Sequence, residues 1–525
     1  MTFKKLISTL TCVLILVLSL SGCGSQNLDY ILYIETDEKP ATVDPQLANS
    51  TTEEMIVRNL FEGLMRLDEK GNLQKGVAKE YEISADGLTY TFKIREDAVW
   101  YSGEKITADD FVFAAERAVS PKTRAPKVEF LYSIKNAKEI SGGKNLPLGI
   151  TAVSESELKI ELVSPNPNFL NQLTSAVFMP CNRKAFLTFK GKYGMNAEDI
   201  LTNGSFYLKN FVKEGDYSLK IQKSKNYEGE FKAEASAVIF SVGEKEYRAE
   251  KINKNNVDMG FMNFSGSLEN VNVSEFSKTC YALVINSASN FGRDEFKKAI
   301  RMAIDKTAMG GELDESLKPA ENLLPQVIAK DGEELSSALK VNSTASYNPS
   351  EARKNYLSGA DKYGDPGNIT ILYSGGEAQK SVALFVAESL QKTLGVVANI
   401  QNEASVTELN DKVSLGEYNL AIMPITANSS SVLQYLSKFT SENGSNIYGF
   451  SSEEYNALFE GINDYSSKEK TITTSQKMLN EIEKSLIITP LFYEREAFGF
   501  GKIYTLPTIS PFSGVIDLAL VKKVA

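Results

Sequence analysis

The sequence predicts a mixed α/β protein built from several domains, and three observations support this class. The chain has 525 residues, which is more than one hydrophobic core usually organises. Residues 88–94 alternate between apolar and polar side chains, as a half-buried strand does. Residues 369–373 and 396–400 form apolar runs on either side of a segment, 382–394, in which an apolar residue recurs at every fourth position. This strand, helix and strand predict a βαβ unit, so part of the sheet should be parallel.

Residues 1–22 are expected to be a signal peptide. A short positive start with Lys4 and Lys5 precedes an apolar run and a small-residue ending, Leu20-Ser21-Gly22-Cys23. A transmembrane anchor is the alternative, but the apolar run is shorter than the ~20 residues that a spanning helix needs. The ending resembles the bacterial lipobox. It implies that Cys23 carries a lipid, that residues 23–29 form a lipidated tether, and that acyl chains hold the protein at the membrane.

Local signals place further elements along the chain. Residues 30–34 predict a strand, and Thr51 with Glu54 predicts the capped start of a helix that runs to about Leu67. Thr107 caps a second helix with Asp110 at its third position.

The remaining elements are predicted in the same way. Trp100 is expected in a core, and residues 158–162 alternate as a strand. Asn348 followed by Pro349 starts a third helix, and the nearly apolar residues 418–425 are typical of a buried parallel strand.

Composition excludes several function classes. The net charge is −10 and the sequence pI about 5.1, which argues against nucleic acid as a partner. The chain has no histidine, which excludes nucleophilic sites built on histidine and histidine-ligated metals. Beyond the signal and Cys23, Cys181 and Cys280 remain. Two buried free thiols are favoured over a disulfide.

Carboxylate pairs do not indicate an enzyme. Asp109-Asp110 and Glu53-Glu54 each stand at a predicted helix start, where acidic residues favour the helix dipole. The sequence has no nucleophile elbow and no phosphate-binding loop. We therefore expect no enzyme, no cofactor and no resident metal.

Ordered short motifs resemble one family along most of the chain. They are TVDP at 42–45, NLFEGL at 59–64, GVA at 76–78, TYTFKIR at 89–95, VWYSG at 99–103, ITADDFV at 106–112, TNGSFYL at 202–208, KAIRMAIDK at 298–306, YNPSEAR at 347–353, YNLA at 418–421 and TPLFY at 489–493. Together they are similar to the ABC-importer extracellular solute-binding proteins of family 5, the oligopeptide- and dipeptide-binding lipoproteins. Most of the matched residues are turn glycines, core aromatics and helix caps, so they specify a fold more than a ligand.

The resemblance implies a two-lobed fold of the type II periplasmic-binding-protein kind with an extra inserted domain. Lobe one would comprise 24–70, 180–280 and 500–525, the inserted domain 71–180, and lobe two 281–499. Two crossing strands, near 281–286 and 498–504, would join the lobes. The lobes would close around a ligand by hinge motion.

The family's function would carry over as follows. The protein would sit on the outer face of the bacterial cytoplasmic membrane as a monomer, capture an oligopeptide or similar small solute, and deliver it to the ABC permease and ATPase subunits. Main-chain groups would hold an extended peptide. The residues implied are Lys39, Pro40, Ala41, Thr426, Ala427 and Asn428.

One position departs from the family pattern. Peptide binders place an aspartate where Asn428 aligns, to pair with the peptide amine. Either another acid, such as Glu35, Asp37 or Glu38, holds the amine, or the ligand is an N-blocked peptide, a sugar or a metal chelate. A signalling-peptide receptor with the same fold is a further alternative.

Overall fold

The computed structural model describes residues 30–68, 72–166, 169–215, 217–263, 268–312, 314–330, 333–341, 343, 345–427, 431–441, 443, 446–462, 467–506 and 515–524. The predicted signal peptide, Cys23 and Asn428 lie outside these residues.

Strands are distributed along the whole described chain. In chain order they are β1 Ile31–Thr36, β2 Met65–Leu67, β3 Leu73–Lys75, β4 Ala78–Ile83, β5 Thr89–Ile94, β6 Ile150–Ser154, β7 Glu157–Glu161, β8 Phe206–Val212, β9 Ser218–Lys223, β10 Ala237–Val242, β11 Met259–Met262, β12 Val271–Ile285, β13 Leu317–Pro319, β14 Ala329–Lys330, β15 Glu333–Glu334, β16 Ile369–Tyr373, β17 Ala398–Asn402, β18 Leu420–Thr426, β19 Ile488–Gly501, β20 Tyr504–Thr505 and β21 Lys522–Lys523.

Helices alternate with these strands, as the predicted α/β class requires. In chain order they are α1 Thr51–Leu60, α2 Ala108–Val119, α3 Ala137–Ser141, α4 Phe169–Gln172, α5 Arg183–Thr188, α6 Lys245–Asn253, α7 Asp294–Ala303, α8 Lys306–Glu312, α9 Pro349–Tyr363, α10 Glu377–Leu394, α11 Val406–Ser414, α12 Val432–Ser437, α13 Glu453–Glu460 and α14 Lys468–Ser485.

One large sheet organises the molecule. Its strand order is β17-β16-β18-β12-β19-β11-β1-β10-β9-β8, with β13 also paired to β19. We call β1 and β8–β11 the first half-sheet and β16–β18 the second half-sheet. The long antiparallel strands β12 and β19 pair along their length and extend through both halves. The predicted crossing segments, 281–286 and 498–504, overlap only one end of each of these strands.

A separate four-stranded antiparallel sheet, β4-β5-β7-β6, lies within the predicted inserted segment 71–180. Helix α2 packs against it. Trp100 is fully buried there, as predicted, and its indole N–H donates to the Asp110 carboxylate at 3.2 Å. The same carboxylate accepts the Thr107 N–H at 2.8 Å, so the predicted capping pair is confirmed.

The predicted βαβ unit is confirmed, because β16 and β17 are parallel and α10 connects them. The first predicted helix, capped by Thr51 and running to about Leu67, has its cap displaced by one residue and its end predicted wrongly. Ser50 is the cap, with its hydroxyl accepting the Glu53 N–H at 3.2 Å. The helix stops at Leu60 because Phe61 is extended, and Met65–Leu67 then forms β2. The helical spacing of the apolar residues beyond position 60 was coincidental.

The last described residues complete the core next to the first half-sheet. The Tyr30 hydroxyl donates to the Val521 carbonyl at 2.7 Å. The Asn59 side-chain amide donates to the Ile516 carbonyl and accepts the Leu518 N–H. Cys181 and Cys280 are both buried free thiols, as favoured from the sequence. Within the described ranges, no helix combines the length and apolar character needed to cross a membrane.

Candidate functional site

The strand directions create a cleft between the two half-sheets. Strand β1 is parallel to its neighbour β11, and β11 is antiparallel to β19. Because β19 is in turn antiparallel to β12, strands β1 and β12 run in the same direction. Strand β18 is antiparallel to β12 and parallel to β16. The carboxyl ends of β1 and β18 therefore face each other across the middle of the two long strands. Ligands of open α/β sheets bind outside such carboxyl ends.

The floor of the cleft follows from the strand register. At the first half-sheet, Phe261 on β11 pairs with Phe498. At the second half-sheet, Thr426 pairs with Thr279, which in turn pairs with Glu494. The two rims are therefore separated along β19 by the four-residue step from Glu494 to Phe498. At the rise per residue of a β-strand, this step spans roughly 13 Å. Strand β12 has a register irregularity at this level, between Phe276 and Thr279.

A cavity of about 230 Å³ opens at the rim of the first half-sheet. Acidic and apolar side chains line it together: Ile34, Glu35, Thr36, Asp37, Glu38, Thr51, Thr52, Met55, Gly260, Phe261 and Phe498. The Phe261 and Phe498 rings pack edge to face with centroids 5.1 Å apart, which gives the cavity a firm aromatic wall.

Arg248 of α6 organises this rim. It is fully buried, and its guanidinium contacts Glu35 at 3.2 Å and Asp37 at 2.6 Å. It also donates to the main-chain carbonyls of residues 36, 243 and 261. Gly260 makes this possible, because a Cβ there would lie 2.6 Å from the Arg248 side chain. The guanidinium therefore fixes the loop that follows β1 against the end of β11.

Two of the three acids that the sequence suggested as acceptors for a ligand amine, Glu35 and Asp37, therefore already have ion-pair partners within the protein. Besides Arg248, Glu35 contacts Lys251 at 2.6 Å, and Asp37 contacts Lys245 at 3.0 Å. Each carboxylate thus faces two cations. The third, Glu38, is exposed at the cavity and has no ion pair within the described part of the chain.

The predicted ligand residues of the first rim follow β1 directly. Lys39 is exposed, with its ammonium 5.5 Å from the centre of the Tyr217 ring, and Pro40 is buried. Ala41 is exposed, but its N–H donates to the Glu53 carboxylate at 2.8 Å and its carbonyl accepts the Lys213 ammonium. Both main-chain groups of Ala41 are therefore engaged within the protein.

The predicted residues of the second rim end β18. Thr426 is half-buried and its hydroxyl lies 3.0 Å from that of Thr279. Ala427 is buried, and its N–H donates to the Lys278 carbonyl at 2.7 Å. No hydrogen bond among the described residues joins 39–41 to 426–427, so the two segments occupy opposite rims. Asn428 lies outside the described residues.

The charged residues on the floor of the cleft were not among the ligand-binding residues predicted from the sequence. Arg495 contacts Glu275 at 2.7 Å, and Glu496 contacts Lys278 at 2.9 Å. Glu494 is half-buried, and burial together with the Glu496 carboxylate raises its pKa above the ordinary value. The signal was present in the sequence, since Glu494-Arg495-Glu496 interrupts an otherwise apolar run.

Comparison with known proteins identifies the family. The family model described as "Bacterial extracellular solute-binding proteins, family 5 Middle" matches residues 72–446, which is more than half of the chain. The chain belongs to this family. The prediction of a solute-binding protein rather than an enzyme is thereby confirmed. In the described ranges, no group of three or more acidic or cysteine side chains is arranged to hold a metal ion.

Relatives of this family 5 protein match it almost end to end. The periplasmic murein peptide-binding protein MppA of Escherichia coli (strain K12) is 28% identical over 479 residues, covering 87% of this chain and 86% of the relative. The oligopeptide-binding protein OppA of Bacillus subtilis (strain 168) is 25% identical over 525 residues, covering 93% and 94%. The solved unliganded open form of MppA superposes with a TM-score of 0.77 at 23% identity, covering 94% of this chain and 98% of that one. The predicted two-lobed fold class is confirmed.

Proposed function

We propose that this protein is the extracellular, lipid-anchored solute-binding component of an ABC importer, and that it captures oligopeptides between two lobes and delivers them to the permease. The observation that carries the proposal is the cleft between the facing carboxyl ends of β1 and β18, which, of the strands in the described ranges, only β12 and β19 bridge. A cleft spanned by two strands suits hinge closure around a ligand. The names of the two relatives, a murein peptide binder and an oligopeptide binder, support peptide as the ligand.

The division into domains is part of the proposal. Lobe one would hold the first half-sheet (24–70, 180–280 and 500–525) and lobe two the second (281–499). The β4-β5-β7-β6 sheet within 71–180 supports an inserted domain there. We further propose a monomer whose Lys39, Thr426 and neighbouring main chain face the ligand. Because the N–H groups of Ala41 and Ala427 already have acceptors, other main-chain groups of these rims would contact the peptide.

Thermal shift measurements on the protein from Gly24 onward test the ligand class. Free-amine peptides, N-acetylated peptides, oligosaccharides and metal chelates are compared. A ligand at 100 times its dissociation constant adds about 2.7 kcal/mol to the stability, which raises the melting temperature measurably. Peptides are expected to produce this rise. A rise with sugars or chelates alone would contradict the peptide proposal.

Lipid anchoring is tested separately in cells. Cys23→Ser is expected to move the protein from the membrane fraction to the soluble extracytoplasmic fraction, because the thiol that would carry the lipid is removed. Cys12→Ser is the matched control within the same leader and should leave the membrane fraction unchanged. Equal fractionation of both variants would argue against a lipid on Cys23.

A further inference from the structure

Glu494 occupies a distinctive position on the floor of the cleft. It pairs with Thr279 on β12, and Thr279 pairs with Thr426 on β18, so these three residues form one row across neighbouring strands. Directly paired residues of antiparallel strands project to the same face of the sheet. The 3.0 Å contact between the two threonine hydroxyls shows this for the second pair. The row therefore runs from the floor to the rim of β18.

Groups on both sides of the cleft interact electrostatically with the Glu494 carboxylate. Lys245, at the start of α6 beside the first half-sheet, is among the charges that act on the Glu494 carboxylate. On the other side, Glu494 acts on Tyr281, whose hydroxyl contacts the Gln379 amide of α10 at 3.4 Å. Glu494 thus lies between the two rims rather than within either core.

The other charged groups around Glu494 have partners. Arg495 and Glu496, its chain neighbours, pair with Glu275 and Lys278. Lys245 pairs with Asp37 at 3.0 Å. The Glu494 carboxylate itself has no hydrogen bond or ion pair with any described residue, although its main chain pairs with β12 and β13. A half-buried carboxylate without a cation is costly, and a cation that arrives with the ligand removes that cost.

We propose that Glu494 accepts the ammonium group of the bound ligand, so that the ligand is one with a free, positively charged amine. This inference rests on the proposed binding of peptides in the cleft and names the group that selects among them. An ammonium has three donors, and two oxygens of Glu494 can accept from it.

The row also sets a direction for the ligand. Two strand spacings separate Glu494 from Thr426, roughly 10 Å. An extended chain of about three residues covers that distance. A peptide that begins at Glu494 would therefore pass the two threonine hydroxyls and reach the end of β18. Asn428, which lacks a charge, need not hold the amine in this arrangement.

Calorimetric titration with oligoalanines of two to six residues tests the inference. Free-amine and N-acetylated forms are titrated into the wild type, Glu494→Gln and Glu388→Gln. Glu388 is exposed on α10 and provides the same change of net charge away from the cleft. We expect the wild type and Glu388→Gln to prefer the free-amine forms by at least tenfold. Glu494→Gln should lose at least tenfold in affinity for those forms and lose most of the preference.

The outcomes separate the two proposals. If Glu494→Gln keeps the wild-type preference, or the wild type binds both forms equally, Glu494 is not the amine acceptor although peptide binding stands. If neither form binds the wild type, both proposals fail. The melting temperature of each variant is recorded, and Glu494→Asp, which retains the charge, should keep more of the preference than Glu494→Gln.

Discussion

Replacement of Arg248 by methionine is expected to lower the free energy of unfolding by about 3–5 kcal/mol, the usual cost of removing one partner of a buried ion pair. The guanidinium is fully buried and contacts two carboxylates and three main-chain carbonyls. Methionine fills part of the volume but satisfies none of these acceptors. Lys251 and Lys245 would still contact Glu35 and Asp37. Because neither carboxylate is left without a cation, the loss of unfolding free energy should not exceed about 5 kcal/mol.

Thermal unfolding measures this loss. A domain of roughly 150–250 residues shifts its melting temperature by about 2–4 °C per kcal/mol, so the transition that includes the first half-sheet should fall by about 6–20 °C. Arg183→Met is the matched control. The Arg183 side chain is 42% exposed and pairs with Asp109 and Glu116 on the surface, where ion pairs contribute about 0–1 kcal/mol.

A third variant separates charge from geometry. Arg248→Lys retains the positive charge but cannot reach both carboxylates and the carbonyls with a planar fork, so its melting temperature should lie between those of Arg248→Met and the wild type. If Arg248→Met melts within 2 °C of Arg183→Met, by the scale of roughly 2–4 °C per kcal/mol, the guanidinium does not hold the rim together and the reasoning is refuted.

Three further outcomes follow from buried groups elsewhere. Burial raises the pKa of Asp110 from 3.8 to about 6, so the wild type should lose stability as the pH rises from about 4 to about 6. Between pH 4.5 and pH 8, the stability of Asp110→Asn relative to the wild type should therefore increase by about 2 kcal/mol in denaturant titrations, and an unchanged difference would contradict this. Burial raises the pKa of Cys181 to about 12 and that of Cys280 further, so neither thiol should react with a disulfide reagent until guanidinium unfolds the protein, whereupon both should. Gly204→Ala should cost about 1–3 kcal/mol because its Cβ would lie 2.7 Å from the Leu60 main chain, whereas Gly311→Ala, which meets no atom within 4 Å, should not destabilise; equal melting temperatures would refute the close-approach argument.

The elements that could be predicted from the sequence are those fixed by neighbours in the chain. The capping pair Thr107 and Asp110 spans three residues, and Asn348 accepts the Glu351 N–H from the same distance. The βαβ unit was readable because its first strand, β16, is buried and its helix has a buried apolar residue at every fourth position, Val382, Val386, Leu390 and Leu394. The helical spacing of apolar residues continues by coincidence past Leu60. A prediction from spacing alone therefore extended the helix into the residues that form β2.

The candidate site could be predicted only in part, because it is built from contacts between distant residues. Positions at or just beyond the ends of strands, such as Thr426 and Lys39, lie at the rims, and their contact with a ligand stays a prediction. The contact of Arg248 with Glu35 joins residues 213 positions apart, and no local pattern indicates it. Sequence alone therefore offered Glu35 as a free acid, whereas the structure pairs Glu35 with two cations and gives the Glu494 carboxylate no ion pair among the described residues.

The contact between Tyr30 and Val521 has a consequence for the timing of folding. The two residues are 491 positions apart, so the first half-sheet and the residues that cover it come from both ends of the chain. At a synthesis rate of about 5–20 residues per second, the amino-terminal strand waits roughly 25–100 s before its last partner emerges. During that interval the apolar face of the nascent β1 has no completed core, so the first half-sheet cannot finish folding until the residues around Val521 have been made.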